Sequence, residues 1–423
     1  MSTTPSLRVA VLGAGTVGWP VVRAFLERPG SLAPFDGVPL ALVGVADLVM
    51  ERLVARGVPA AIVTDAPAHL VADPEVDVVV ELMGGDEPAR TLIAAALGAG
   101  KRVVTANKHV VAHHGAALEA TARENGGTFR FEAAVGGGIP ILGPLAADLA
   151  ANDVRQVRGI VNGTTNFILT SMREQGSAYA DALAEAQARG YAEANPRGDV
   201  EGDDAVNKVV ILARLAFGAW LDPADVVKAP PTLRGTGRPG ITGVRADEVH
   251  AAGALGLTLR LIARADGGNG RPTASVIPSA VHRDDPLGRT DGVLNRIEVV
   301  ADPVGIVAFA GPGAGGDPTS SAVLGDLIAL ARGGGSTWAG LAPAYDLANG
   351  DDGTDPQVAS RAWFAFLPGV SPDRLDLDPA TVTAGVGGGT AVRTGTLSLE
   401  QARAALRAVV SDGADVTLYP VID

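Results

Sequence analysis

Along the first third of the chain, short apolar runs alternate with stretches whose apolar side chains recur at helical spacing. Leu7–Leu12 reads as a strand, followed by a glycine turn and a helical pattern through Glu27. The alternation continues with strand Leu40–Ala46, a helix from about Leu48, strand Val76–Leu82, helix Glu87–Leu97, strand Arg102–Ala106, a helix from about His109 and strand Thr128–Ala134. Repeated strand–helix units predict a parallel, doubly wound α/β sheet.

A second pattern occupies the middle of the chain. Asp203–Trp220 reads as a helix in which Asp204, Lys208, Ile211 and Leu215 share one stripe, with Val206, Val210 and Phe217 opposite. A helix apolar on both sides is a buried one, so the two charges at its start are expected to face a cleft or the interior and to need partners there. The competing reading is an exposed pair four residues apart, worth a few tenths of a kcal/mol. The preceding stretch from Gly190 crowds Glu193 and Asp199 with Asp204 and Lys208 around a Pro/Gly-rich turn, and we read it as a catalytic floor.

Upstream, Ser177 is expected to cap a helix ending at Arg189, with Gly190 just past its end. Downstream, Ala229–Gly243 is a Pro/Gly-rich loop, and runs at Leu257–Arg264, Ser275–Pro278, Asn295–Val300 and Gly305–Phe309 predict a mixed sheet. Helix Thr319–Ala331 follows, and Gly333–Gln357 reads as a linker. Arg361–Leu367, Val392–Ser398, helix Leu399–Val410 and strand Val416–Ile422 outline a small α+β appendage. The expected organisation is therefore a nucleotide-binding domain over 1–140 with a returning helix at about 317–332. A substrate domain over 141–316, a linker over 333–357 and a C-terminal domain over 358–423 complete it.

Composition narrows the chemistry. A chain of 423 residues with 47% hydrophobic content needs two or three domains. The absence of cysteine excludes disulfides, thiolate metal sites and a thiol nucleophile. A formal charge of -13 repels polyanions, so nucleic acid is not an expected partner. The opening residues lack a basic leader and no apolar run reaches membrane-spanning length, so the expectation is a soluble, cytoplasmic protein.

Several short motifs then carry specific chemistry. With 55 glycines in 423 residues, a GxGxxG spacing should arise by chance roughly once; it occurs at Gly13, Gly235 and Gly311. Only the first lies between a strand and a helix in a strand–helix series, where Gly13 makes the tight turn, Gly15 lets a pyrophosphate approach and Gly18 lets helix and strand pack closely. The Gly235 match lies in a Pro-rich loop and reads as structural. The Gly311 match follows a strand and precedes a helix, as a returning cofactor contact would. Asp47 closes the second strand, where a carboxylate hydrogen-bonds a ribose 2′-hydroxyl and repels a 2′-phosphate. Arg52 lies a helical turn beyond, so NAD is modestly favoured over NADP; helix capping is the alternative role for Asp47.

Lys108 sits in Thr105-Ala-Asn107-Lys108 at the carboxyl end of a strand, the edge where open α/β sheets bind ligands. His109, His113 and His114 share a helix but lack a third ligand at a metal-site spacing, so a polar face is the preferred reading. Gly136-Gly137-Gly138 can converge carbonyls on a hard cation or form a hinge. The run Asn162-Gly163-Thr164-Thr165-Asn166 can orient a polar zwitterion or cap the next helix.

Taken together, the GAGTVG turn, TANK, EAAVGGGIPIL, GIVNGTTNFIL, GYAEANPRGDVEGDDAVNK and GPGAGGDPTSSAVLGDL strongly resemble homoserine dehydrogenases over about residues 7 to 332. Within the central block Pro196, Asp199, Gly202, Asp204 and Lys208 keep the family's spacing, whereas Asn195 and Asp203 depart from it. The resemblance implies a Rossmann-type domain, a substrate and dimerisation domain, and NAD(P)-linked interconversion of L-homoserine and L-aspartate 4-semialdehyde on the route to threonine, isoleucine and methionine. It implies that Lys208 donates and accepts the proton, that Lys108 lies between cofactor and substrate, and that Glu193 and Asp204, with Asp199, hold the substrate. It further implies cofactor contacts at Gly13, Gly15, Thr16, Val17, Gly18, Asp47, Lys108, Gly190 and Gly315. A sodium ion would be held by oxygens, mostly main-chain, of Glu132, Val135, Gly137 and Ile139, and the protein would be a homodimer or higher homo-oligomer. The tail resembles the ACT-type regulatory domain many members append, without a clear glycine-centred effector loop. Two other readings compete: an oxidoreductase of another amino acid, and a catalytically silent dinucleotide sensor.

Overall fold

The computed structural model describes residues 6–28, 32, 37–267, 271–344, 360–375, 380–411 and 414–422. The chain divides into two compact units: Met1–Asp153, Val210–Asp222 and Gly311–Asp346 form the first, and Val154–Val209, Pro223–Ala310 and Leu347–Asp423 the second. The C-terminal segment thus belongs to the second unit instead of standing apart.

In chain order the elements are β1 (Leu7–Leu12), α1 (Gly18–Glu27), β2 (Leu40–Ala46), α2 (Met50–Ala55), β3 (Val63–Thr64), α3 (Pro67–Ala72), β4 (Val78–Glu81), α4 (Ala89–Gly98), β5 (Arg102–Thr105), α5 (Lys108–Asn125), β6 (Thr128–Arg130) and α6 (Leu142–Ala146). There follow β7 (Asp153–Ile160), α7 (Gly163–Gln175), α8 (Tyr179–Ala188), α9 (Arg197–Val200), α10 (Asp203–Phe217), α11 (Ala246–Ala254), β8 (Leu257–Asp266), β9 (Thr273–His282), β10 (Leu294–Asp302), β11 (Gly305–Pro312) and α12 (Gly316–Ala331). The tail contributes β12 (Trp363–Pro368), β13 (Val382–Val386), β14 (Gly389–Arg393), α13 (Leu399–Arg407) and β15 (Tyr419–Ile422).

The first unit is built on a six-stranded parallel sheet in the order β3-β2-β1-β4-β5-β6. This is the doubly wound dinucleotide-binding order, whose crevice opens where the winding reverses between β1 and β4. Strand valines Val9, Val11, Val45, Val78, Val80 and Val104 pack with Val21, Val22 and Phe25 of α1 and with Val323, Leu327 and Leu330 of α12. Trp338, within the stretch expected to be linker, is buried against Phe129 and Phe131. The remainder of that linker, from residue 345 on, lies outside the described residues.

The C-terminal half of α10 also belongs to this unit. Its Arg214 is fully buried and meets Glu119 of α5 through Nε (2.9 Å to Oε2) and Nη2 (2.6 Å to Oε1). Trp220 donates its indole N–H to the same carboxylate at 2.9 Å. Gly115 lets α5 receive that indole, because a Cβ there would lie 2.5 Å from the ring.

The second unit carries a nine-stranded mixed sheet, β11-β10-β7-β8-β9-β15-β12-β14-β13. Strands β7, β8 and β9 pair antiparallel, and β15 joins β9 in parallel, Val421 opposite Ala280. Counted within the tail, the order of its strands is fourth, first, third, second, as in a ferredoxin-like βαββαβ unit. Among the described residues a 3-10 turn, Pro372–Arg374, stands at the place of that unit's first helix. Trp363, Leu367, Val392, Leu399, Ala402, Leu406 and Leu418 form its core, which Leu233 joins from the Pro/Gly-rich loop. Buried Tyr419 donates to Glu248 of α11 at 2.8 Å.

Two local expectations change. Of the run read as strand Val392–Ser398, only Val392 and Arg393 are strand, as the end of β14, which pairs with β13 in a hairpin. Gly388 adopts φ +88° and closes the hairpin in a conformation that disfavours other residues. The cap of α8 is Ala178 and not Ser177, whose hydroxyl turns to Gln175 at 3.4 Å.

Candidate active site

The first glycine turn leaves β1 and enters α1. Gly13 takes φ +90°, and a Cβ on it would lie 2.8 Å from the Leu82 carbonyl oxygen. A Cβ on Gly18 would fall 1.9 Å from the Gly13 carbonyl oxygen, whereas one on Gly15 would meet nothing within 4 Å. The turn is thus tight at both ends and open in the middle, with Gly15 and Thr16 exposed, as a diphosphate approaching the main chain requires. Val17, the N-cap of α1, offers no side-chain acceptor, so no side chain caps that helix end. The later match packs against this turn: Gly315 takes φ +113° at the start of α12, and a Cβ on Gly316 would lie 2.5 Å from the Thr16 carbonyl oxygen. Two distant glycine motifs therefore build one cradle.

Asp47 ties the glycine turn to the end of β2. Its Oδ2 accepts the Ala14 N–H of the glycine turn at 2.9 Å, and its Oδ1 accepts the Val49 N–H at 2.9 Å. Arg52 folds back onto it, with Nη2 3.1 Å from Oδ1. Burial acts to raise the Asp47 carboxyl, but the two amides and Arg52 outweigh it and hold the group below its ordinary value. The basic residue that seemed a turn away in sequence is thus at the same corner.

At the carboxyl ends of β4 and β5, buried Glu81 accepts the Met83 N–H at 2.8 Å, the Gly84 N–H at 3.2 Å and the Thr105 hydroxyl at 2.7 Å. Asn107 caps α5 by accepting from Val110 and donates to the Gly85 carbonyl at 2.7 Å, which places Lys108 at the first helical position. Sequence reading missed Glu81; its signal is a single carboxylate closing an apolar strand. Of the histidines, His114 contacts Asp86 at 2.9 Å, and His109 and His113 have ring centroids 4.2 Å apart. Burial and then His113 lower the His109 ring's affinity for a proton. Among the described residues no group of three or more His, Cys, Asp or Glu side chains is arranged to hold a metal.

The second unit holds the charged cluster. Helix α10 is buried around its circumference through Leu215, apart from its first two residues. Lys208, 6% exposed, donates from Nζ to the Val161 carbonyl at 2.6 Å and to Asp204 Oδ2 at 2.7 Å. The Asp204–Lys208 pair is therefore a buried one, as the apolar stripe around it requires. Asn162 donates from Nδ2 to Asp199 Oδ1 at 2.7 Å and to Asp204 Oδ2 at 2.9 Å. Burial pushes the Asp199 carboxyl above its ordinary value, against the Asn162 donation.

The other expected residues lie differently. Glu193 is exposed, and its main-chain carbonyl accepts from Gln187 at 3.0 Å. Gly190 takes φ +74° after α8. Asp203 points away to Lys228 at 2.5 Å instead of crowding Asp204. In the glycine-rich turn, Gly137 takes φ +58°, and a Cβ there would lie 2.7 Å from the Gly313 carbonyl. The Glu132 carboxylate accepts three amides, Ile141 at 2.8 Å, Leu142 at 2.9 Å and Gly143 at 2.7 Å. Burial, reinforced by Asp326, raises its carboxyl above the ordinary value. The Glu132 side chain is thus fully engaged, and its main-chain oxygen accepts the Val135 N–H at 3.4 Å.

The family model of the homoserine dehydrogenase NAD-binding domain matches residues 13–132, and that of homoserine dehydrogenase matches residues 140–328. The chain is 44% identical to homoserine dehydrogenase of Mycobacterium tuberculosis over 329 residues, 77% of this chain and 72% of the relative. It is 40% identical to that of Bacillus subtilis over 330 residues, 77% and 73% of the two chains. The structure of a homoserine dehydrogenase from Thiobacillus denitrificans matches with a TM-score of 0.86 and 32% identity over 99% of both chains. That of Staphylococcus aureus at pH 7.5 gives 0.77 and 30%, again over 99% of both. A hyperthermophilic archaeal homoserine dehydrogenase in complex with NADPH gives 0.63 and 29%, covering 77% of this chain and 97% of that one. The nucleotide cradle and the buried Asp204–Lys208 pair both fall inside these matched stretches, and the chain belongs to the homoserine dehydrogenase family.

Proposed function

We propose that this chain interconverts L-homoserine and L-aspartate 4-semialdehyde with a nicotinamide cofactor, and that Lys208 moves the proton. The observation that carries the assignment is the lysine's geometry. An ammonium has three hydrogens, and Val161 and Asp204 take two of them, leaving the third for a substrate oxygen. In the reducing direction Lys208 protonates the carbonyl oxygen; in the oxidising direction its neutral amine accepts the hydroxyl proton. The cofactor supplies or takes the hydride. Asp204 and Asp199 attract the substrate's ammonium group, joined by Glu193, and Lys108 is proposed as the second lysine of the reaction on family grounds. The test is the initial rate of NADH and NADPH formation with L-homoserine, with L-aspartate as comparison. Turnover of aspartate with no response to homoserine would favour the other amino-acid oxidoreductase, and cofactor binding without any turnover would favour the sensor.

Cofactor preference rests on two adjacent groups. Asp47 favours a free 2′-hydroxyl, which supports NAD, while Arg52 at 3.1 Å offers the charge a 2′-phosphate needs. Arg52→Gln is expected to lower kcat/KM with NADPH by about tenfold or more, the worth of one charge-assisted hydrogen bond, and to leave the NADH reaction nearly unchanged. Parallel kinetics with both cofactors check this; an equal loss with both would sink it.

The main-chain oxygens of Glu132, Val135, Gly137 and Ile139 suit a hard monovalent cation such as sodium. Replacing sodium by a bulky organic cation at constant ionic strength is expected to lower the rate, and adding sodium back to restore it. An unchanged rate throughout would remove the cation from the reading. Assembly as a homodimer or higher homo-oligomer is proposed on family grounds and is checked by light scattering.

A further inference from the structure

We propose that Asn162 is a positioning residue of the reaction: its one amide caps α7 and at the same time bridges the two carboxylates, Asp199 and Asp204, that accompany Lys208. The inference deepens the reading above and rests on it.

The orientation of the amide is set by its two sides. Asn162 is the N-cap of α7, and its Oδ1 accepts the Thr165 N–H at 2.9 Å with the Thr165 hydroxyl 3.0 Å away. The carbonyl end must face those donors, so the NH2 end faces away from them. There it finds Asp199 Oδ1 at 2.7 Å and Asp204 Oδ2 at 2.9 Å. One side chain, 5% exposed, thereby links α7, α9 and α10.

The bridge has two consequences. Two neighbouring carboxylates repel one another in a partly buried site, and a shared pair of N–H donors offsets that repulsion. The Asp204 oxygen that receives Asn162 is also the one that receives Lys208, and the other acceptor on Lys208 is the carbonyl of Val161, the residue just before Asn162. A shift at residue 162 therefore moves both acceptors that aim the lysine. An ordinary N-cap has neither consequence.

The test separates the cap from the bridge. Asp and Ser both cap helices about as well as Asn. Asp retains the acceptor for Thr165 but has no donor when ionised and adds a third negative charge; Ser retains an acceptor and one O–H donor. Asn162→Asp is expected to lower kcat/KM for L-homoserine by about 100-fold, as loss of two charge-assisted hydrogen bonds implies. Asn162→Ser is expected to stay within about tenfold of the parent, since one donor remains. Both variants should stay folded at the assay temperature and keep the parent's affinity for the cofactor, Asn162→Asp with a lower melting temperature because of its added charge, and the loss should appear with homoserine and not in the KM for cofactor. Parent-like turnover in Asn162→Asp overturns the proposal, and so does a loss in that variant that comes from unfolding at the assay temperature or from lost cofactor binding. A parent enzyme that does not turn over homoserine would instead overturn the functional reading on which the proposal stands.

Discussion

Lys208→Ala is expected to lower kcat by about 10²- to 10⁴-fold, the range a positioned proton donor or acceptor contributes. Its Nζ sits between a main-chain carbonyl and a carboxylate, both within 2.7 Å, and alanine removes the proton donor and acceptor altogether. The nucleotide cradle lies on residues of the other unit, so cofactor binding should survive the change. Initial rates with homoserine, beside a cofactor titration of the same variant, check both halves. Undiminished turnover would move proton transfer away from Lys208 and make Lys108 the next residue to replace. Loss of cofactor binding along with turnover would show that the substitution damaged more than the proton path.

Arg214→Ala is expected to destabilise the protein by about 3–5 kcal/mol, the cost of removing one partner from a buried ion pair. The Glu119 carboxylate, with its side chain 3% exposed, would lose two of its donors and keep Arg123 and Trp220. Replacing both partners, as Glu119→Leu with Arg214→Met, should recover part of that loss, because neither buried charge of the pair remains, while Arg123 and the Trp220 N–H lose their acceptor. Thermal or denaturant unfolding of the single and double variants checks this; a double variant no better than the single would show that the pair's value is not the charge left behind. The pH dependence has a definite sign. Burial raises the Glu119 carboxyl, but Arg214, Trp220 and Arg123 outweigh it and hold the group below its ordinary value. The pair's contribution is therefore fully present above about 4.5, the unfolded value, and is lost as pH falls through the lower folded value. The same helix that carries Arg214 carries Lys208.

The glycine turn and the parallel sheet could be read in advance because strand, turn and helix recur in a fixed succession along the chain. Gly13 and Gly18 are required by clashes with neighbouring main chain, and a strand, a turn and a helix in succession are enough to predict them. The Asp204–Lys208 pair was likewise visible, since two residues four apart on a helix are neighbours whatever else the chain does. Its burial followed from the apolar residues around it.

Other features depend on contacts that spacing does not encode. Asn162 could be read equally as a helix cap or as a substrate-orienting amide. It caps α7 and bridges carboxylates 37 and 42 residues away, and that second role exists only once α9 and α10 have packed. Glu193, in the same motif, is exposed, because a shared stretch of sequence does not oblige side chains to share a direction. Arg52 was assigned to its own helical turn, yet its long side chain folds back onto Asp47. Glu119 and Arg214, 95 residues apart, had no mark in the sequence at all. By itself the sequence determined the elements, the nucleotide turn, the charged helical stripe and the family. Tertiary structure alone decided which polar groups meet, because a buried charge is satisfied by whatever partner packing brings within about 3 Å, and that partner can come from anywhere along the chain.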